Sequence, residues 1–260
     1  MSEVKAYYSE TFKTGLYDID VAGNPKPSRL TERMLLAAND HLDLLNWSWT
    51  HLYNDIGVAL VLIEVSLKIT GKMRLGETVK LTTWTSKKLY PMLMRWFVLE
   101  NEAGERICEA MMNCVLIDVK TRTITNAAKY GLNLVDDDTP PMEVSIKRPR
   151  FVSGVDTGER AADFSFTKTV VCSDLDYNGH MNTARYVELS EDLLGRDWLM
   201  THEIKEISVR YEKETAYGET VLTSGYDIPS EDGRSGIVEI AGASNAVNRF
   251  SAKIAYTSAT

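Results

Sequence analysis

One stretch of this chain occurs twice. Residues 64–79, Glu-Val-Ser-Leu-Lys-Ile-Thr-Gly-Lys-Met-Arg-Leu-Gly-Glu-Thr-Val, lie without a gap on residues 206–221, Glu-Ile-Ser-Val-Arg-Tyr-Glu-Lys-Glu-Thr-Ala-Tyr-Gly-Glu-Thr-Val, at an offset of 142. Glu64/Glu206, Ser66/Ser208 and Gly76-Glu-Thr-Val79/Gly218-Glu-Thr-Val221 are identical, and Val65/Ile207, Leu67/Val209 and Lys68/Arg210 keep their character. The alternation ahead of the shared Gly-Glu turn is that of a half-buried strand. A repeat that preserves both strand and turn makes the chain a tandem of two similar units. Each unit reads as an early strand, a helix, then several long strands joined by hairpin turns. A helix laid on an antiparallel sheet buries its own stripe and one sheet face. Two such units can also join sheet edges and shield strands that would otherwise be open. The expected fold is therefore α+β, with each half a long helix packed against an antiparallel sheet. No βαβαβ alternation and no GxGxxG motif is present.

Taken in order, residues 17–21 suit a short strand, and a helix is expected from Ser28, which can cap it. Leu30, Met34, Ala38 and His41 then form its buried stripe, and Trp47, Trp49 and Tyr53 a bulky rim over the same core. Strands are expected at 60–69, 78–88, 92–99 and 106–117, with a hairpin turn at 101–104. The Asp136–Pro141 run breaks the pattern. It sets the expected division: a first domain at 1–138, a linker at 139–158 and a second domain at 159–260. The second domain reads as a strand at 163–171, a helix at 181–194 and strands at 203–211, 220–226, 237–243 and 247–256.

A formal net charge of -8 argues against general nucleic-acid binding. Cys108, Cys114 and Cys172 form no CxxC pair, and the first residues have neither an apolar nor an Arg/Ser-rich leader character. Reduced thiols and a cytoplasmic location are the expectation. No apolar run approaches the roughly 18 residues that a membrane-spanning helix needs, so no stable membrane insertion is expected.

The chemistry concentrates between the 163–171 strand and the helix that follows. Asp174, Asp176, Asn178, His180 and Asn182 crowd one strand-to-helix junction. Asp174-x-Asp176-x-Asn178-Gly179 matches the opening of an EF-hand loop, but the position reserved for a bidentate Glu is Arg185, which repels calcium. The four histidines lack zinc-ligand spacing. No metal and no cofactor is expected. Acid–base chemistry remains, with His180 able to move a proton near neutral pH and Asp176 or Asn178 able to orient it. The competing reading is that Asp176 and Asn178 only cap the helix and His180 fills its first turn. The repeat adds Glu214, whose counterpart in the first half is Lys72 inside otherwise matching flanks. That reversal of charge suits a role confined to one half, or else an ordinary exposed strand-end carboxylate.

Ser173-Asp-Leu-Asp-Tyr-Asn-Gly-His-Met-Asn182 and Tyr211-Glu-Lys-Glu-Thr215 resemble, in content, order and spacing, the two motifs of the acyl-acyl-carrier-protein thioesterases of plants and bacteria. The resemblance implies a double hotdog fold and hydrolysis of a fatty acyl thioester carried on the phosphopantetheine arm of acyl carrier protein. Alternatives are an acyl-CoA thioesterase or a non-catalytic acyl-binding protein. It carries catalytic roles onto Asp176, Asn178, His180 and Glu214. The plant-type members have Cys directly after the Glu; Thr215 stands here, so attack by an activated water is expected rather than by a thiolate. Backbone N–H groups near 179–182 are expected to hold the oxyanion. The resemblance puts the acyl chain in the first half, where Met34, Leu35, Ala38, Trp49, Leu60, Leu62, Met111 and Met112 are the candidate lining. An acidic carrier partner implies a basic docking patch, either Lys147, Arg148 and Arg150 or Lys72, Arg74, Lys87 and Lys88. The chain is expected to be a monomer or a homodimer.

Overall fold

The computed structural model describes residues 6–86, 91–130, 132, 141–149, 151 and 160–259. Ten strands form one antiparallel sheet: β1 (Tyr7–Lys13), β2 (Val58–Ile69), β3 (Thr78–Ser86), β4 (Met92–Glu100), β5 (Arg106–Asp118), β6 (Phe164–Thr169), β7 (His202–Tyr211), β8 (Thr220–Pro229), β9 (Ser235–Ser244) and β10 (Val247–Ser258). Their order across the sheet is β1-β3-β4-β5-β2-β7-β10-β9-β8-β6. Helices α1 (Pro27–Leu44) and α2 (Thr183–Leu194) each belong to one half. Leu30, Met34 and Ala37 of α1 share one continuous core with Val187, Leu189 and Leu193 of α2 and with strands of both halves.

The repeated segments are the seam. In the β2–β7 pair Ser66 lies opposite Ser208, Glu64 opposite Arg210 and Lys68 opposite Glu206. Like charges facing each other across an antiparallel pair destabilise it, and the Glu-x-Ser-x-Lys/Arg pattern sets acid against base at both ends of this one. Glu64 is buried; its Oε1 accepts from Asn113 Nδ2 at 2.8 Å and lies 3.4 Å from Arg148 Nε, while Oε2 lies 3.9 Å from Arg210 Nη2.

Several expectations are corrected. Residues 17–21 form no strand; they are a tight turn closed by a single bridge between Ile19 and Pro25. The early strand is β1, which pairs with β3 at one edge of the sheet. Ser28 does not cap α1: the N-cap is Lys26, with Pro27 opening the helix. Ser28 instead donates its N–H and hydroxyl to the Glu191 carboxylate of α2, both at 2.7 Å. Helix α2 begins at Thr183, where Asn182 accepts from the Ala184 N–H at 2.9 Å. Proline suits the first helical position because it has no N–H to leave unpaired there.

The described part of the passage expected to be a linker, 141–149, lies across the sheet face turned away from α1. Glu109 accepts from the N–H groups of Ser145 and Ile146 and from the Ser145 hydroxyl, and Arg106 donates to the Glu143 carbonyl. This cover explains why β5 is buried on both faces while β10 alternates. Burial works against the charge on Glu109, but Arg106 and the three donors of Ser145 and Ile146 together hold its carboxyl below the usual range. Positions 139, 140, 150 and 152–158 of that passage fall outside the described residues.

Two measurements check this arrangement. Glu64→Ala leaves Asn113 without its acceptor and two arginines without their shared anion; urea unfolding is expected to show a loss of about 3 kcal/mol. Burial pushes the Glu191 carboxyl up to about 7. A raised folded-state pKa means stability that is full below the unfolded value and declines as pH rises through the folded one. Unfolding free energy should therefore fall between about pH 5 and pH 7, and Glu191→Gln should flatten that fall.

Candidate active site

The junction between β6 and α2 folds as a closed turn. A bridge joins Leu175 to Met181, Asp176 N–H donates to His180 O at 2.8 Å, and Gly179 N–H donates to Asp176 O at 3.0 Å. Gly179 has φ 78°, a left-handed conformation that a side chain would strain. The Asp176 carboxylate fills the loop: its Oδ1 accepts from Asn178 N–H at 2.9 Å and from His180 N–H at 3.2 Å. Asp174, buried beneath, accepts from Val171 N–H and pairs with Lys168 at 3.0 Å.

The turn is then tied to the segment after β7. Met181 N–H donates to Thr215 O at 2.8 Å, and His180 forms a bridge with Ala216. Arg249 of β10 holds Glu214 from behind by donating to its carbonyl at 2.7 Å. The result brings His180 Nε2 to 3.4 Å from Glu214 Oε2, with both side chains partly open to solvent. These two residues are 34 positions apart in the sequence. Asn178 sits exposed on the same turn. Of the four residues singled out from the sequence, His180 and Glu214 meet, Asp176 supports the turn beneath them, and Asn178 lies at its tip.

Thr215 is fully buried and receives the Tyr186 hydroxyl at 3.0 Å. Cys172 lies in the short helical turn Cys172–Asp174 that precedes the loop. The expected oxyanion donors are not free. The N–H groups of Gly179, His180, Met181 and Asn182 donate to Asp176 O, Asp176 Oδ1, Thr215 O and Asp174 O respectively. A turn this tight consumes its own donors.

The first half reaches over to the site. Trp49 stacks on Tyr53 and meets the ring of Tyr177 edge-on at 5.4 Å, so the loop that starts the π-helix His51–Ile56 abuts the turn. Arg122, in the turn after β5, points Nη2 at Glu214 Oε2 from 3.8 Å and has φ 58°, an uncommon conformation for a non-glycine residue. The sequence offered no signal for Arg122 or Arg249, because both arrive through the tertiary arrangement.

The eight candidate acyl-lining residues do not share one surface. Met34, Ala38 and Met112 lie in the helix–sheet core, with Leu35 and Leu62 against it; Leu60 packs on a second cluster around Trp47 and Leu52. Trp49 sits at the contact with Tyr177. Met111 directly precedes Met112 on β5 and so points to the opposite face, beneath which 141–149 runs. The proposed basic patches are partly committed elsewhere: Arg148 to Glu64, and Lys72 to Glu203 at 2.6 Å. Lys87, Lys88 and Arg150 lie outside the described residues. Among the described residues no cluster of His, Cys, Asp and Glu is arranged to hold a metal ion.

The 174–181 turn has a double in the first half, which the 142-residue offset did not reveal. Asp20 Oδ1 accepts from Ala22 N–H at 2.9 Å and Asn24 N–H at 2.8 Å, Asp20 N–H donates to Asn24 O, and Gly23 has φ 84°. In this copy Asn24 stands where His180 does and Lys72 where Glu214 does, with Lys72 Nζ 2.5 Å from Asn24 Oδ1. The shared Asp-Ile/Leu-Asp-x-x-Gly at 18–23 and 174–179 was the available signal.

Family models agree with this layout. The model of the acyl-ACP thioesterase N-terminal domain matches residues 5–130, and that of the C-terminal domain matches residues 159–253. The chain belongs to the acyl-ACP thioesterase family. It is 27% identical over 157 residues to the chloroplastic palmitoyl-acyl carrier protein thioesterase of Cuphea hookeriana, a match covering 57% of this chain and 36% of that protein. The match thus spans about a third of that curated relative. The fold is similar to the 12:0-ACP thioesterase of Umbellularia californica, with a TM-score of 0.82 at 16% identity over 99% of this chain and 96% of that one. It is also similar to an acyl-ACP thioesterase of Bacteroides thetaiotaomicron, with a TM-score of 0.77 at 21% identity over 98% and 100%. At these identities the structures establish the architecture, a double hotdog. Within this thioesterase fold the Asp176 carboxylate is expected to serve the backbone. Asp176→Ala should speed amide exchange at Asn178 and His180 by about tenfold or more, while Asp176→Asn, which keeps an acceptor oxygen, should preserve protection.

Proposed function

We propose that this chain hydrolyses fatty acyl thioesters presented on acyl carrier protein, releasing a free fatty acid and the carrier thiol. The observation that carries the reading is the His180 Nε2–Glu214 Oε2 approach at 3.4 Å, made by the two motifs that resemble those of the family. Family membership supports the substrate class. In this reading Glu214 takes a proton from a water as its oxygen attacks the thioester carbonyl carbon. The tetrahedral oxyanion collapses, the carbon–sulfur bond breaks, and His180 delivers a proton to the departing thiolate. Asp176 holds the turn that aims His180. The occupied backbone donors around Gly179 and the exposed amide of Asn178 support assigning the carbonyl-oxygen contact to the Asn178 side chain. The burial of Thr215 against Tyr186 supports water as the nucleophile. No helix among the described residues is long and apolar enough to cross a membrane.

The test is thiol release from matched acyl groups on carrier protein and on CoA. The wild type should turn over the carrier substrate in preference. Glu214→Gln and His180→Ala should each lower kcat by about 10²- to 10⁴-fold with the fold intact by circular dichroism. Undiminished turnover in either variant overturns the assigned roles. A preference for CoA replaces the carrier with CoA as donor, and turnover of neither removes the activity.

A further inference from the structure

Beneath the last turn of α1, the helix–sheet interface of the first half holds a cation inside an otherwise apolar layer. Arg95 of β4 is 6% exposed, and its neighbours His41 and Thr83 are buried with it. Its Nη1 lies 2.9 Å from His41 Nδ1 and donates to Thr83 Oγ1 at 3.3 Å. Its Nη2 is buried without a hydrogen-bond partner among the described residues, and none of their carboxylates pairs with it. Burial lowers the guanidinium to about 10, still far enough up to keep it charged at neutral pH. A buried donor left dry is costly and is uncommon in a folded core.

The surface leading to Arg95 is apolar and partly open. Arg95 lies opposite Met112, and Met112 opposite Val65, forming one buried row across β4, β5 and β2. One pleat along the same face the row is Leu93, Cys114 and Leu62, again in register, and all three are half-buried. Leu93 packs on the cluster of Trp47 and Leu52. Two positions past Trp47 is Trp49, the residue that meets Tyr177 of the catalytic turn. An apolar strip, half-buried at Leu93, Cys114 and Leu62, thus runs from the neighbourhood of His180 and Glu214 to the buried Arg95 Nη2.

We propose that this strip is the acyl channel and that Arg95 is its recognition end, selecting acyl chains that carry a hydroxyl or oxo oxygen remote from the thioester. The assignment of the strip rests on the thioesterase reading of His180 and Glu214; the role of Arg95 goes beyond it. A remote oxygen supplies the lone pair that Nη2 lacks. A plain hydrocarbon tail of the same length offers that N–H no acceptor. Sites built around a hydrogen bond reject the analogue that lacks the matching group more strongly than apolar pockets reject a missing methylene.

The experiment compares kcat/KM for carrier-bound acyl chains of equal length: unsubstituted, hydroxylated beside the thioester, and hydroxylated or oxo-substituted at successively more distant carbons. The wild type should favour at least one remotely oxygenated chain over the plain chain by about tenfold. Arg95→Met, which fills the space without a donor, should bring that ratio near one. A wild-type ratio at or below one for every remote position overturns the proposal and needs no variant to fold. An unchanged ratio in Arg95→Met overturns it equally. If no thioester is cleaved, the activity reading fails and Arg95 is judged separately, by calorimetric binding of free hydroxylated and plain fatty acids to the wild type. The same tenfold preference is then expected, and equal or weaker binding of every hydroxylated acid sinks the recognition role.

Discussion

The pairing of β2 with β7 governs the rest of the molecule. Ser66 faces Ser208, its own counterpart in the repeat, and on either side Glu64 faces Arg210 and Lys68 faces Glu206. When a charged strand pairs antiparallel with a copy of itself, opposite signs at its two ends turn like-charge repulsion into attraction. Once that seam closes, two sheets become one, with β1 and β6 as its outer edges. Helices α1 and α2 come side by side over a common core, and Glu191 can reach the first turn of α1. The seam also carries Trp49 and Arg122 of one half to Tyr177 and Glu214 of the other.

The near-symmetry separates scaffolding from chemistry. Asp20 and Asp176 perform the same task in the two turns, each using one carboxylate oxygen to gather two backbone N–H groups. A glycine in the left-handed region follows in both. What differs is the pair displayed on that frame: Asn24 with Lys72 in one half, His180 with Glu214 in the other. An amide and an ammonium hold each other but offer no group that exchanges a proton near neutral pH, whereas an imidazole and a carboxylate do. Lys72 is further committed to Glu203. The first turn therefore braces the junction between the halves through Lys72.

How much of this could be read beforehand depended on whether the cause was local. The long strands and both helices were legible because their periodicity is a property of neighbouring residues. Strand β1 was not, since its pattern of exposed and half-buried residues comes from an edge position beside β3. Residues 17–21 alternate like a strand, yet the Asp20 carboxylate closes them into a turn. The passage around 141–149 looked like a loose connection because its breakers mask the anchor supplied by Glu109. Met111 is a related case: 141–149 covers a second sheet face, so an apolar residue pointing away from α1 is still buried.

The amino-acid sequence alone determined that two similar helix-on-sheet units follow one another, because repeat, alternation and helical stripe are all local patterns. It also supplied, in His180 and Glu214, residue types able to exchange a proton. Only the tertiary structure decided that His180 and Glu214 stand 3.4 Å apart, that the backbone N–H groups of the turn are already spent, and that Arg95 Nη2 is buried in the first half without a partner among the described residues. Each of these depends on groups brought together across strands and halves, where distance along the chain says nothing about distance in space.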